Sequence, residues 1–147
     1  MIYTYIFDID GTISDSRWRS EHAEARDWDT FHGLCEQDAP LPAARLMRSL
    51  VAADHCIILL TGRNEKFRKQ TQAWLKAHDL QVDELLMRPD NNFDAAEIVK
   101  EAQLVEYFGD IDKAKVEVTC MFEDSEKVAE HFRQKGFTVF TTLGGIG

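Results

Sequence analysis

Long apolar runs are missing from this 147-residue sequence, and none approaches the ~20 residues that a membrane-spanning helix needs. Proline is scarce, with three residues, and glycine stands at eight, which excludes collagen-like and linker-dominated sequence. The three cysteines, Cys35, Cys56 and Cys120, are odd in number, far apart and without C-x-x-C spacing. Neither a disulfide framework nor a zinc site is expected from them. Cys56 and Cys120 lie in apolar runs and read as buried thiols; Cys35 reads as free to be exposed. Positive charge is in short supply. Seventeen Lys and Arg against 26 Asp and Glu leave a formal charge of −9. That balance disfavours non-specific nucleic-acid binding, because an acidic surface repels phosphate backbones. A phosphorylated end met by one local basic group or a bound cation is still compatible with it. The first residues, MIYTYIFDID, have no basic n-region and no small-residue cleavage site, so a cytoplasmic protein without a signal peptide is expected.

What the sequence does contain is an ordinary globular balance, 44% hydrophobic and 29% charged. Its length predicts one domain over 1–147. Short apolar, β-branched and aromatic runs at 2–7, 55–60, 82–87, 116–122 and 137–141 read as strands. Helical stripes lie between them. Ala43, Leu46, Met47, Leu50 and Val51 follow a 3.6-residue period behind Pro42, which suits a first helical turn. Phe67, Thr71, Trp74 and Leu75 make a second stripe, with Asn64 as N-cap. Ala95, Ile98, Val99, Ala102 and Val105 make a third. Val128, Ala129 and Phe132 make a fourth, capped by Ser125 and stopped by Gly136. Alternating strands and helices predict right-handed βαβ units and a mostly parallel sheet covered on both faces, an α/β/α sandwich of three layers. Residues 13–40 stand apart as a long insert after the first strand, rich in charge and holding Trp18, Trp28 and Phe31. The tail LGGIG is expected to be loose.

Ligands of a parallel α/β sheet bind at the carboxyl ends of its strands. Here those ends carry Asp8-Ile9-Asp10-Gly11-Thr12, Thr61-Gly62-Arg63 and Glu123-Asp124-Ser125. With the strands adjacent, Asp8, Asp10 and Asp124 would converge. Three close carboxylates repel one another unless a cation sits among them, and all-oxygen ligands suit Mg²⁺. Thr61, Arg63 and Lys100 complete an expected phosphate pocket. Such a set permits phosphoryl transfer through an aspartyl-phosphate. Asp8 attacks phosphorus; Asp10 protonates the leaving oxygen and then activates water.

The segments FDIDGT (7–12), LLTGR (59–63) and MFEDS (121–125) resemble the first, second and fourth motifs of the haloacid dehalogenase (HAD) superfamily of phosphotransferases. Their order and spacing fit that superfamily over the whole chain. The resemblance implies a Rossmann-like sheet, Mg²⁺ as cofactor, Asp8 as nucleophile and Asp10 as general acid/base. It implies Thr61, Gly62, Arg63 and Lys100 at the phosphate. It also implies Asp8, Asp124 and the Asp10 carbonyl on the metal, with Glu123 behind them. Within the superfamily the chain is similar to small members without a full cap domain, the phosphatase domains of polynucleotide kinase-phosphatases. DWDTFH (27–32), Asp38, Pro40, MRPDNNF (87–93), Lys100 and FEDSEKVAEHFRQKGF (122–137) carry that likeness. The chain departs from it at Asp94 and Ala96, where those members tend to carry Arg and Asp.

A site without a full cap admits a large substrate, so the resemblance points to a phosphorylated nucleic-acid end or a nucleotide. A small-metabolite phosphatase and a catalytically silent binding module are the alternatives. No membrane association and no obligate protein partner is expected. Several residues have plainer readings. Asp8 and Asp10 are common turn residues, and Glu123 and Asp124 suit a first helical turn. Arg88 reads as structural or as a rim residue. The cluster Arg63, Lys66, Arg68 and Lys69 reads as a solvated helix face. Trp28 and Phe31 read as packing for the insert, with stacking on a base as the alternative. The five histidines are too scattered to suggest a metal site.

Overall fold

Residues 1–142 are described by the computed structural model; the tail LGGIG lies outside the described residues. In chain order the elements are β1 (Thr4–Phe7), β2 (Ser14–Asp15), α1 (Ser20–Glu24), α2 (Trp28–Gly33), β3 (Ala39–Pro40), α3 (Pro42–Ala52), β4 (Cys56–Asn64), α4 (Arg68–Ala77), β5 (Glu84–Arg88), α5 (Ala96–Phe108), α6 (Ile111–Glu117), β6 (Val118–Glu123), α7 (Glu126–Gln134) and β7 (Val139–Thr141). Five strands form one parallel sheet in the order β5-β4-β1-β6-β7.

The apolar run of β4 explains the layers. Ile57 and Leu59 face one way, into a core with Phe7, Met47, Trp74, Leu75 and Leu85. Ile58 and Leu60 face the other way, into a core with Ile6, Leu104, Met121, Val128 and Phe132. A strand that is apolar on both faces needs helices on both. Here α3 and α4 cover the first face, and α5, α6 and α7 cover the second. The result is the expected Rossmann-like α/β/α sandwich. Among the described residues, no helix is long and apolar enough to cross a membrane.

The chain starts in the middle of the sheet at β1, works outward through β4 and β5, and then crosses back to β6 and β7. The two directions part between β1 and β6. Outside the carboxyl ends of these strands a crevice opens, because the connections leave on opposite faces. Asp8 follows β1, and Glu123 ends β6 with Asp124 next to it.

Several boundaries differ from the sequence reading for local reasons. β4 runs on to Asn64 because Asn64 pairs with Arg88 of β5 after an irregularity. The fourth strand begins at Val118, since residues 111–117 form α6. Asp110 caps that helix by accepting the Lys113 N–H at 2.7 Å. Asn64 caps as expected, but on a 3₁₀ turn at Glu65–Phe67 that precedes α4. Ser125 accepts the Val128 N–H at 3.3 Å, as expected for the cap of α7.

The insert is folded. Ser14 pairs with Pro40 and Asp15 with Ala39, so its two ends close into a ribbon. Short helices α1 and α2 and 3₁₀ turns at Arg17–Arg19 and Cys35–Gln37 fill the space between. Cys35, which the sequence leaves free to be exposed, is buried there; Cys120 is buried as expected and Cys56 only half-buried.

A site-independent check of the core is Leu104→Ala. Leu104 is fully buried in the layer beneath α5 and α7, and its truncation should cost about 2–5 kcal/mol. Urea unfolding should show that loss as a lower midpoint at an unchanged slope.

Candidate active site

Two buried charge clusters lie at the carboxyl ends of the strands, one with acids in excess and one that sets two guanidiniums against two carboxylates. The first joins β1 to β6. Asp8 is held at the strand end by its own N–H, which donates to the Phe122 carbonyl at 2.9 Å. Asp8, Glu123 and Asp124 each direct one carboxylate oxygen into a common space, with those atoms within 4.8 Å of one another. Lys100, from the second turn of α5, reaches in from the side. Its ammonium donates to Asp8 Oδ1 at 3.0 Å and to Glu123 Oε2 at 2.6 Å. Glu123 Oε1 accepts the N–H groups of Asp124 and Ser125. All four charged side chains are buried.

The backbone between Asp8 and Thr12 is shaped to allow this approach. Gly11 has φ +79°, and any Cβ there would collide with the Asp124 carboxylate. Glycine is required on both counts. Thr12 Oγ1 donates to Asp8 Oδ2 at 3.5 Å. The Thr142 hydroxyl donates to the Gly11 carbonyl at 3.0 Å and lies 3.3 Å from Thr12 Oγ1. A residue at the far end of the described chain thus fixes this loop.

Burial, with Glu123 and Asp124 adding to it and Lys100 opposing, holds the Asp8 carboxyl well above its ordinary value. Burial also pushes Asp124 up to about 6. Glu123 moves the other way, because the Lys100 charge and hydrogen bond outweigh its burial. Three carboxylates meet beside one ammonium, which bonds to two of them, so acidic groups are in excess. A hard divalent cation with oxygen ligands is the chemistry that relieves the excess. The residues present therefore fit Mg²⁺, with Asp8 and Asp124 as carboxylate donors and Glu123 beside them.

The second cluster surrounds Asp10, whose side chain turns away from the first. Asp10 Oδ1 accepts from Arg19 Nη2 and Arg63 Nη2, each at 2.6 Å. Arg63 also donates to Thr71 Oγ1 at 2.8 Å, so its guanidinium already has two partners. Its N–H donates to Thr61 Oγ1 at 3.0 Å. Arg19 is fully buried and donates further to Asp38 and to the Phe31 carbonyl. Asp38 is held in turn by the indole N–H groups of Trp18 (on Oδ1) and Trp74 (on its carbonyl). Burial opposes ionisation of Asp10, but the charges of Arg63, His32 and Arg19 outweigh it and hold the carboxyl far below its ordinary range. His32 Nδ1 stands 3.9 Å from Asp10 Oδ2.

Asp8, Glu123, Asp124 and Lys100 thus meet at one point, while Asp10, Arg63 and Thr61 border it as a second group. Gly62 is tied to Arg88, which donates to its carbonyl at 2.8 Å and to the carbonyls of Asn92 and Asp94. Arg88 accordingly has a structural place. Arg19 and His32 were not singled out from the sequence. Arg19 lies in a segment without periodicity, where an arginine reads as solvated. His32 sits inside DWDTFH, and that motif was the only signal available.

Arg19→Met should destabilise the protein by about 3–5 kcal/mol, since it strands Asp38 and half-strands Asp10 in the interior. Denaturant unfolding measures this, and Arg19→Lys should fail to restore it, for want of donors. A pH effect follows from His32. Burial above all, with Asp10 opposing and Arg63, Arg19 and Arg88 reinforcing, lowers its imidazole to about 4. The unfolded chain binds that proton near pH 6.5. Stability is therefore fully present above about 6.5 and is lost as pH falls towards 4, by roughly 3 kcal/mol. His32→Gln should flatten that part of a stability–pH curve.

Comparison with known proteins follows the same lines. No curated protein sequence matches the chain. Among solved structures, one of a Pnkp1/Rnl/Hen1 complex is similar, with TM-score 0.77 and 22% identity. The likeness covers 96% of this chain and 45% of that one, so the chain spans less than half of that protein. A predicted phosphatase from Clostridium acetobutylicum is similar at TM-score 0.70 and 13% identity, over 99% of this chain and 88% of that one. CbbY from Rhodobacter sphaeroides, in complex with phosphate, is similar at TM-score 0.63 and 14% identity, over 99% and 87%. At such identities the likeness is one of fold. The family model of the polynucleotide kinase PNKP phosphatase domain matches residues 3–145. The chain belongs to that family of HAD-fold phosphatases.

Proposed function

We propose that the chain is a Mg²⁺-dependent phosphomonoester hydrolase that works through an aspartyl-phosphate on Asp8, and that its substrate is a phosphorylated nucleic-acid end or a nucleotide. The observation that carries this reading is the gathering of Asp8, Glu123 and Asp124 around one space, with the buried Lys100 ammonium paired to Asp8 and Glu123. Carboxylates gathered this closely suit a cation placed among them. We further propose that residues 1–147 act as one unit, with the insert at 13–40 in the place of a cap.

Asp8 and Asp124 would hold the metal, together with the Asp10 carbonyl, and Glu123 would lie behind them. The metal supplies positive charge that lets an anionic nucleophile approach an anionic phosphate. Asp8 attacks phosphorus, the bond to the leaving oxygen breaks, and the phosphoryl group passes to the carboxylate. Lys100 steadies Asp8 before attack and neutralises an equatorial oxygen after it. The Thr61 hydroxyl and the Gly62 main chain complete the phosphate cradle.

Asp10 works through Oδ2, because Oδ1 is taken by Arg19 and Arg63. In the free protein those guanidiniums keep it ionised. A dianionic phosphate nearby offsets their charge and raises its proton affinity, so Asp10 can protonate the leaving oxygen. Once the leaving group has gone, Asp10 takes a proton from the attacking water, and hydrolysis frees Asp8. In this reading Arg63 acts on the reaction through Asp10, a change from its expected place on the phosphate.

The test uses p-nitrophenyl phosphate. Wild-type protein should hydrolyse it with Mg²⁺, lose that activity in EDTA and regain it on Mg²⁺ addition. Asp8→Asn should reduce turnover by at least about a thousandfold. Normal turnover by Asp8→Asn, or activity indifferent to EDTA, would overturn the mechanism.

A further inference from the structure

Two aromatic residues of the insert, Trp28 and Phe31, share one helix and have opposite surroundings. Phe31 is buried beneath the Arg19 guanidinium, which lies 4.2 Å from its ring centre. Trp28 leaves 52% of its surface in solvent. A tryptophan is a costly residue to expose, since burying it would remove a large apolar area from water.

Its placement gives the exposure a use. Trp28 and His32 are four residues apart on α2 and therefore share one face. His32 is the inner of the two, with Nδ1 3.9 Å from Asp10 Oδ2 and only 12% of its side chain exposed. Nδ1 is enclosed and has no hydrogen-bond partner among the described residues. Trp28 is the outer one, nearly parallel to the imidazole at 22°, with ring centres 6.1 Å apart. Phe67 flanks His32 from the far side at 5.8 Å. An aromatic path therefore runs from the one oxygen of Asp10 that its guanidiniums leave open, outward to solvent.

The helix that carries this path is fixed to the body of the molecule. Asp29 of α2 pairs with Lys66 beyond β4 at 2.5 Å. Trp28 also meets Phe31 edge-on, with ring centres 5.9 Å apart. The indole thus has two ring neighbours and keeps about half of its surface in solvent. Lys66 adds a half-exposed cation at the same rim, on a protein otherwise acidic.

We propose that Trp28 and His32 form a leaving-group subsite for a planar heteroaromatic ring, the base of the nucleotide residue that bears the scissile phosphate. The inference rests on the phosphatase reading, in which Asp10 Oδ2 faces the leaving oxygen. A base attached through its sugar to that oxygen comes to lie along the path and stacks on the exposed part of the Trp28 indole. His32 backs the indole from within, its Nδ1 enclosed beside Asp10. Stacking tolerates any base, because every base has a π face. The subsite thus favours a nucleotide over a ring-free phosphate without reading sequence.

The test compares two phosphomonoesters, a nucleoside 3′-monophosphate and glycerol phosphate. Binding is measured by calorimetry on Asp8→Asn protein, so that nothing is turned over, with and without Trp28→Ala or Trp28→Phe. The nucleotide should bind on the order of tenfold tighter than glycerol phosphate. Trp28→Ala should erase that advantage while leaving glycerol phosphate affinity unchanged, and Trp28→Phe should restore most of it. Equal affinities for the two ligands, or equal losses for both in Trp28→Ala, would overturn the subsite. Wild-type turnover of glycerol phosphate is measured alongside. Turnover without a Trp28-dependent preference means that the subsite fails while the phosphatase reading stands. Loss of both means that the phosphatase reading fails as well.

Discussion

Three buried carboxylates held beside one ammonium set the terms for the rest of this molecule. At the separations found, each like-charged pair repels by roughly 3–4 kcal/mol at an effective dielectric near 20. Lys100 attracts two of the three strongly and leaves an excess. The chain can hold such a cluster only because the groups are anchored independently: Asp8 on the central strand, Glu123 and Asp124 on its neighbour, Lys100 on α5. Gly11 then permits the close approach, and Thr142 ties down the loop that contains it. The sheet is the device that makes the repulsion affordable.

Asp8 and Asp10 illustrate how one short segment supports two chemistries. They lie two residues apart, yet their environments push their carboxyls in opposite directions. Asp8 is raised by burial among other acids, and Asp10 is lowered by two guanidiniums and an imidazole. Divergence of this kind between neighbouring acids is what the proposed division of roles between them requires. The insert contributes to it directly, since Arg19 and His32 both come from residues 13–40. That segment therefore helps to build the site as well as bordering it.

The sheet and most of the helices could be read from the sequence because their determinants are local. Period-two and period-3.6 apolar patterns, Ser125 as a cap and Pro42 at a helix start all act over a few residues. The meeting of Asp8 and Asp124 could be read because both sit at strand ends, where topology brings them together; the same argument expected the Asp10 carboxylate there, and Glu123 stands in its place because Arg19 and Arg63 hold Asp10. The second charge cluster could not be completed. Arg19 is buried by contacts with Asp10 and Asp38, at sequence separations of 9 and 19 residues, and nothing in its neighbours distinguishes it from a surface arginine. Helix α6 was hidden for a related reason. It has seven residues, too few for a clear stripe, and its last two merged with the apolar strand that follows. Cys35 is buried by the fold of the insert as a whole, which no short pattern encodes.

The most direct test of the account is a crystal structure with Mn²⁺ as an anomalous stand-in for the cation. The account predicts a single ion bound by the carboxylates of Asp8 and Asp124, with the Asp10 carboxylate still on Arg19 and Arg63. An ion held elsewhere, or an unoccupied Asp8–Asp124 pair at millimolar Mn²⁺, would contradict it.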